Sequence, residues 1–154
     1  MRKTKEAFCW IFSILKKHKI PYRISGGVAA KIYGSKRELV DIDIDTTDVA
    51  LKKILPDVQN FISYGPKRYK DNEWDVTLLE LNYSGQEIGI IGTDSANIFD
   101  KTKGKWVKYR ADFSKAVKKK IYGQIVKFIS REDLIDYKQK IRRKVDIEDI
   151  KELA

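Results

Sequence analysis

The feature that most constrains the fold is the run from residue 41 to residue 45, in which Asp41, Asp43 and Asp45 alternate with Ile42 and Ile44. Successive side chains of a β-strand point to opposite faces, so this run predicts a strand with three carboxylates on one face and two isoleucines in the core. Three like charges at this spacing repel one another unless a cation such as Mg2+ lies between them. The run therefore indicates a strand whose polar face binds a metal ion.

A glycine pair precedes this strand. Gly26 and Gly27 stand between a predicted strand at residues 22–25 and a predicted helix at residues 28–33. Paired glycines let the backbone approach a phosphate closely, and the free N–H groups of the helix start point at the anion. Such a pair alone is more often a tight turn without a ligand. Followed within about twenty residues by Arg37 and the aspartates, it is much more selective for nucleotide binding.

The charge of the chain is uneven. Formal net charge is +10, and residues 101–143 hold fifteen Lys and Arg against four Asp and Glu, so the basic character belongs to the C-terminal third. A basic surface of this kind favours polyanionic partners such as nucleic acid, nucleotides or an anionic membrane surface, and it makes RNA or tRNA a possible acceptor. A lysine-rich solubility surface is the alternative interpretation of the charge alone.

Length and composition predict one domain over residues 1–154, with a core at 20–92 and a basic hairpin and helices at 105–154. The single cysteine, Cys9, excludes an intrachain disulfide and favours a cytoplasmic protein. No apolar segment reaches the length of a bilayer span, so no membrane partner is expected. The first apolar stretch instead predicts an amphipathic helix, with Ala7, Phe8, Ile11 and Leu15 on one stripe.

The rest of the chain divides into short elements. Helical spacing covers residues 48–62, with Pro56 able to bend or split the helix. Two strands at 73–83 and 86–91 are joined by a two-residue turn of Ser84 and Gly85, which places Glu80 opposite Gly89. The other predicted elements are a polar surface loop at 93–104, strands at 106–110, 113–121 and 124–129, a helix at 131–143 and a last short helix capped by Asp146.

Several of these residues together resemble a known family. The matching front residues are Gly26, Gly27, Ala29, Ala30, Tyr33, Gly34, Arg37, Asp41, Ile42 and Asp43. They look like the signature of the nucleotidyltransferase superfamily with the DNA polymerase beta fold, in the small bacterial and archaeal branch that includes AbiEii-like toxins and antibiotic nucleotidyltransferases. The helical end of that branch is similar to Ser130 to Ile135 with Tyr137, Lys138, Arg142 or Arg143, Asp146, Asp149 and Ile150.

The resemblance implies an α+β fold, with a mixed or antiparallel sheet flanked by helices and an extra C-terminal hairpin and helices. It also implies transfer of a nucleoside monophosphate from a nucleoside triphosphate to an acceptor, with release of pyrophosphate and help from Mg2+ or Mn2+. By this likeness the catalytic and metal-binding residues are Asp41 and Asp43. The nucleotide-binding residues are Ser25, Gly26, Gly27, Arg37 and Lys138.

One residue departs from the family pattern. The resemblance implies a third carboxylate on a later strand, and Gly89 holds that place. Glu80, opposite Gly89, is the first substitute for the catalytic role and Glu87 the second, whereas Asp75 falls on the other face unless a bulge intervenes. The alternative hypothesis is a catalytically impaired protein of this fold that binds nucleotide or RNA, or acts as a toxin–antitoxin component.

Overall fold

The computed structural model describes residues 3–153 and has a mixed α+β architecture, with one eight-stranded sheet and helices on both of its faces. The helices are α1 (Thr4–Lys17), α2 (Gly26–Ile32), α3 (Asp48–Lys53), α4 (Leu55–Val58), α5 (Arg131–Ile141) and α6 (Lys144–Leu153). The strands are β1 (Tyr22–Ser25), β2 (Ile42–Thr46), β3 (Ile62–Lys70), β4 (Trp74–Tyr83), β5 (Gln86–Asp100), β6 (Lys105–Lys108), β7 (Val117–Ile121) and β8 (Gln124–Phe128).

The aspartate strand β2 lies inside the sheet. The strand order is β3-β4-β5-β2-β1-β8-β7, and β6 pairs with β5. Strand β2 is antiparallel to β1 and parallel to β5, so Asp43 is in register with Ser25 on one side and with Gly89 on the other. Strand β4 extends this row, because Glu80 pairs with Gly89. The predicted hairpin register is therefore confirmed.

The two faces of the sheet differ in polarity, as the alternation at residues 41–45 predicts. Ile42 and Ile44 are fully or almost fully buried on the apolar face. Helix α1 covers this face, where the Phe12 ring lies 5.5 Å from the ring of Tyr22. Ala7, Phe8, Ile11 and Leu15, the predicted stripe of α1, are all buried. On the polar face, α5 brings the Tyr137 ring to 5.8 Å from the Tyr109 ring.

The C-terminal helices follow the basic hairpin of β7 and β8. The Ser130 side chain accepts a hydrogen bond from the Asp133 amide, so the predicted cap of α5 is present. Arg142 ends α5 in the left-handed conformation, with φ 51°. Helix α6 then packs against the segment that follows α2, where the Lys36 amide donates a hydrogen bond to Glu152 Oε2. Within residues 3–153, no helix combines the length and apolar character needed to cross a membrane.

Several predicted elements differ from the structure. The strand at 113–121 is shortened to β7 by a 3-10 turn at Phe113–Lys115, and β3 occupies a stretch for which no strand is predicted. The surface loop at 93–104 is wrong, because β5 continues to Asp100 and pairs there with β6. Its polar residues find partners within the sheet, for example Thr93, whose hydroxyl donates to the Thr46 carbonyl at 3.0 Å. The helix at 48–62 is broken into α3, α4 and a 3-10 turn around Pro56. Asp146 lies inside α6 rather than at its cap, because α6 already begins at Lys144.

Candidate nucleotide and metal site

A cavity of about 290 Å3 opens on the polar face of β2, between the α2 turn and the start of α6. It brings together seven of the predicted site residues: Ser25, Gly26, Gly27, Arg37, Asp41, Asp43 and Lys138. Glu80 is not part of its lining. The front motif and the helical end of the chain therefore meet around a single cavity.

Gly26 brings the start of α2 against β2. Its φ is +59°, a conformation that favours glycine, and a Cβ at this position would overlap the Asp43 carboxylate. The Gly26 amide donates a hydrogen bond to the Tyr137 hydroxyl at 3.1 Å. The glycine is thus needed both for the turn and for the close approach of α2 to Asp43.

The carboxyl group of Asp43 lies close to the negative charges of two other aspartates. Burial, together with the negative charges of Asp41 and Asp45, raises the pKa of Asp43 to about 7. Arg143 and Lys138 act in the opposite direction and lower it. A divalent cation would remove the mutual repulsion of Asp41 and Asp43, so these two side chains fit a hard metal ion.

Asp45 has a different role from its two neighbours. It is 1% exposed, and its carboxylate accepts hydrogen bonds from Arg23 Nε at 2.8 Å and from the Tyr109 hydroxyl at 2.8 Å. Arg23 is itself 2% exposed, and its Nη2 also donates to the Tyr109 hydroxyl. Asp45 thus carries a charge that Arg23 already balances. Sequence reasoning missed Arg23 and Tyr109, which lie 22 and 64 residues from Asp45 in the chain.

Replacing Tyr109 with phenylalanine is expected to lower the free energy of unfolding by about 2 kcal/mol, because a buried, charge-assisted hydrogen bond to Asp45 is lost. Urea denaturation of the two proteins measures the difference. Tyr64→Phe is the matched control, since the Tyr64 hydroxyl makes one exposed hydrogen bond, to the Arg68 carbonyl. Equal losses in the two variants would contradict the structural role of the Asp45 network.

Three cations line the cavity beside the glycine turn. The Arg37 guanidinium lies against Gly27, where a Cβ would be 3.6 Å from Nη2. Lys138 is only 1% exposed, and its ammonium lies between two buried carboxylates, those of Asp146 and Asp149. Arg143 was one of two alternatives in the sequence, and it is Arg143 that lines the cavity.

Tyr137 is a site residue that sequence reasoning assigned to packing. Its ring is 5.9 Å from that of Trp74, while its hydroxyl reaches the glycine turn. Burial and the nearby charges of Asp43, Asp45 and Asp146 raise the pKa of Tyr137 far above its ordinary value. The hydroxyl therefore stays protonated and can donate one hydrogen bond. The only signal in the sequence was its place beside Lys138 in the helical end that resembles the family.

The predicted third carboxylates lie outside the cavity. Glu80 is exposed and two strands from Asp43, so the two Cα atoms are separated by about 10 Å at the usual strand spacing. Glu87 lies two residues before Gly89 on β5 and pairs with Asn82. Asp75 is hydrogen bonded to Arg68 at 2.8 Å. The wall of the cavity on β4 and β5 is instead apolar and aromatic, formed by Trp74, Val76, Leu78 and Ile91.

Comparison with solved structures identifies the fold. A candidate nucleotidyltransferase from Thermotoga maritima is 19% identical, with a TM-score of 0.77 over 98% of this chain and 93% of that one. The lincosamide antibiotic adenylyltransferase LnuA, solved with lincomycin, is 18% identical, with a TM-score of 0.61 over 99% and 96%. The enzyme ANT(2")-Ia, solved with adenylyl-2"-tobramycin, is 16% identical, with a TM-score of 0.62 over 97% and 87%.

No protein-family model and no curated protein sequence matches the chain. The likeness is therefore one of structure, at identities below 20%. It spans nearly the whole chain and agrees with the mixed sheet and the flanking helices. The protein therefore has the same fold as these nucleotidyltransferase structures, a polymerase-beta-like mixed α+β fold.

Proposed function

We propose that the protein is a metal-dependent nucleotidyltransferase, which transfers a nucleoside monophosphate from a nucleoside triphosphate to a hydroxyl acceptor and releases pyrophosphate. The observation that carries this proposal is the cavity itself. Two adjacent carboxylates, Asp41 and Asp43, face a glycine turn and a group of cations across one small space. Carboxylates suit a metal ion, and the cations suit the phosphates that the metal would also contact.

Asp41 and Asp43 would hold Mg2+ or Mn2+. Within residues 3–153 no group of three or more His, Cys, Asp or Glu is arranged around a shared metal position. This agrees with a Mg2+ site that takes one or two carboxylates from the protein and its other ligands from phosphate and water. A metal bound there would neutralise charge on the attacking and leaving oxygens of the transfer.

The other residues would position the triphosphate. The backbone of Gly27 and the Arg37 guanidinium lie side by side and would bind phosphate oxygens. Ser25 is the last residue of β1 and pairs with Asp43. It would position the glycine turn, because α2 begins at the next residue. The Tyr137 hydroxyl accepts a hydrogen bond from the Gly26 amide, and it would donate its own hydrogen to a phosphate oxygen beside Gly26. Glu80 remains our proposed proton acceptor. Its side chain would reach toward Asp43 over Gly89, which has no side chain to block it.

The acceptor that best fits is a small hydroxyl compound with an apolar or flat part. The apolar wall of the cavity carries Val76 and Leu78, which are buried, and Trp74 and Ile91, which are partly exposed. The two partly exposed side chains suit such a molecule. The basic hairpin of β7 and β8 lies at the opposite edge of the sheet from β3 and β4. An RNA bound to that hairpin would not rest on the apolar wall, so RNA or tRNA is the less favoured acceptor.

Transfer is tested by incubating the protein with each of the four α-32P-labelled NTPs, Mg2+ or Mn2+, and separate pools of tRNA, aminoglycosides, lincosamides and simple polyols. We expect label on a small-molecule pool, with pyrophosphate formed in equal amount. Asp41→Asn is the inactive control. Transfer that survives this change would contradict the mechanism, and label on tRNA alone would contradict the acceptor class.

The impaired-protein alternative makes a different prediction. A protein that only binds nucleotide or RNA would form no pyrophosphate with any NTP, and its RNA binding would weaken with salt but not on replacement of Asp41. The position of Gly89 beside Asp43 is the observation that keeps this alternative in the test.

A further inference from the structure

A compact ionic cluster lies behind the cavity, where α5, α6 and the segment after α2 meet. It consists of Lys138, Asp146, Asp149, Arg37 and Arg143, and we call it the rear cluster. Its centre is closed to solvent, because the side chains of Lys138, Asp146 and Asp149 are 1%, 0% and 0% exposed. Its two guanidiniums reach the cavity, with side-chain exposures of 27% for Arg37 and 43% for Arg143.

The contacts within the rear cluster are ordered. Lys138 Nζ lies 3.0 Å from Asp146 Oδ1 and 2.9 Å from Asp149 Oδ2, so one ammonium contacts both carboxylates. Because the lysine sits between two aspartates and is almost wholly buried, it is placed to fix them rather than to hold a ligand. Burying three charges is costly unless each is paired, and here each one is.

Each aspartate in turn holds one arginine through two hydrogen bonds. Asp149 accepts from Arg37 Nε at 2.9 Å and from Nη2 at 2.8 Å. Asp146 accepts from Arg143 Nε at 2.8 Å and from Nη2 at 3.3 Å. A guanidinium has five N–H donors, so three on each arginine remain for a ligand. Two-point contacts fix the plane of the guanidinium as well as its position.

The two arginines reach the site from different elements. Arg37 follows α2 and lies against Gly27. Arg143 precedes α6, and its charge is close enough to Asp43 to lower the pKa of that carboxyl. The five side chains carry three positive and two negative charges, so a net positive charge faces the two metal-binding carboxylates.

We propose that Arg37 and Arg143 form a paired binding site for the polyphosphate of the nucleotide, and that Lys138, Asp146 and Asp149 are positioning residues for that pair. The inference rests on the proposed function, since it takes the polyanion to be a nucleoside triphosphate. It adds Arg143 and α6 to the site. It also replaces the sequence prediction that Lys138 contacts the nucleotide directly.

The first experiment compares Arg143→Gln with Arg142→Gln. Both remove one charge from adjacent positions, but Arg142 does not line the cavity. Isothermal titration with tripolyphosphate, and with a non-hydrolysable NTP analogue plus Mg2+, measures affinity without any need for transfer. We expect Arg143→Gln to weaken both ligands about 10- to 100-fold, which corresponds to losing one or two charge-assisted hydrogen bonds. Arg142→Gln should stay within about twofold. Equal effects of the two changes would overturn the paired site.

The second experiment tests positioning with Asp149→Asn. This change makes the site more positive, so charge alone predicts tighter binding of tripolyphosphate. Loss of position predicts weaker binding, by about tenfold, because Arg37 loses its two-point contact. Tighter or unchanged binding would overturn the positioning role. Circular dichroism shows whether this variant folds, and if it does not, Asp146→Asn provides the same comparison through Arg143.

These outcomes are separable from those of the proposed function. Tripolyphosphate binding that depends on Arg143, without transfer to any acceptor, would support the paired site and contradict the enzyme. Transfer that Arg143→Gln leaves unchanged would do the reverse. A wild-type protein that binds neither tripolyphosphate nor the NTP analogue would overturn both.

Discussion

Asp43→Asn is expected to reduce nucleotide transfer at least about 1000-fold and, at the same time, to make the metal-free protein more stable. The loss of rate follows from the loss of a metal ligand, since a metal supplies several kcal/mol of charge stabilisation in a transfer of this kind. The gain in stability follows from the partly buried position of Asp43 among like charges. An asparagine of the same shape carries no charge to bury.

The sign of the stability effect depends on pH. Burial and the neighbouring aspartates raise the pKa of Asp43 from 3.8 to about 7, so the folded protein binds this proton more tightly than the unfolded chain. The native state therefore loses stability as pH rises from about 4 to about 7, and the whole cost is present above pH 7. Three pKa units correspond to an upper limit of about 4 kcal/mol, and we expect Asp43→Asn to recover about half of it at pH 8.

Thermal unfolding at pH 5 and pH 8, with and without Mg2+, measures both parts of this prediction. Without metal, Asp43→Asn should unfold at a higher temperature than wild type at pH 8, with a smaller difference at pH 5. Mg2+ should raise the unfolding temperature of wild type and should have little effect on the variant. Asp45→Asn is the matched control and should destabilise the protein, because it removes the buried carboxylate that pairs with Arg23 at 2.8 Å and leaves only the longer ion pair with Asp133 at 3.7 Å. Destabilisation by both changes would contradict the different roles of the two aspartates.

The part of the site that local patterns determine could be predicted from the sequence. The alternation of aspartate with isoleucine places Asp43 and Asp45 on one face of β2, with Asp41 directly before the strand, because side chains of a strand alternate by geometry alone. The glycine pair and the Ser84–Gly85 turn are also local, since both require backbone conformations that few residue types adopt. The register of Glu80 with Gly89 then follows from counting residues back from the turn.

The partners of each charge could not be predicted in this way. Asp43 and Asp45 occupy equivalent positions in the alternating pattern of β2. Asp45 alone is hydrogen bonded to Arg23 and Tyr109, which gives it a structural role. Lys138 was predicted to contact the nucleotide because it belongs to the helical end that resembles the family, far from the glycine pair in the sequence. Only the packing of α6 places Asp146 and Asp149 against it. Contacts of this kind join residues far apart in the chain, so they depend on the completed fold.

The end of β5 shows a misleading local signal. Residues 93–100 are rich in polar side chains, which predicted a loop, although Ala96, Ile98 and Asp100 are buried at every second position. The polar groups are satisfied from neighbouring elements, as when the Ser95 hydroxyl donates to Asp48 and accepts from Arg68. Polarity alone was therefore a poorer guide than the period of two.

Gly89→Asp is expected to raise the rate of transfer to a hydroxyl acceptor at least about tenfold. The position is in register with Asp43, and a Cβ there would lie 3.4 Å from Asp43 Oδ1, so a side chain fits after a small adjustment. The new carboxylate would lie one strand from Asp43, whereas Glu80 lies two strands away. A general base within hydrogen-bond reach of its proton contributes about 100-fold or more, which makes the shorter distance decisive.

Single-turnover assays of Gly89→Asp, Gly89→Asn and Glu80→Gln measure this effect, with Gly89→Asn as the uncharged control of equal size. If Glu80 is the proton acceptor, Glu80→Gln should lower the wild-type rate about tenfold and should have little effect when Asp is present at position 89. This non-additivity is the expected signature of two groups that perform one role.

The gain from Gly89→Asp should also depend on pH and metal. A further negative charge beside Asp43 raises the pKa of that carboxyl still more, so the variant should need a higher pH or more Mg2+ to reach its full rate. A rate that rises between pH 7 and pH 9 and saturates at higher Mg2+ than in wild type would show that the new carboxylate acts within the metal site. No gain at any pH, together with an unchanged rate in Glu80→Gln, would mean that neither group takes the proton. The proton of the acceptor hydroxyl would then have to pass to water or to a phosphate oxygen of the nucleotide, because Asp45, the remaining carboxylate of the cavity lining, is held by Arg23.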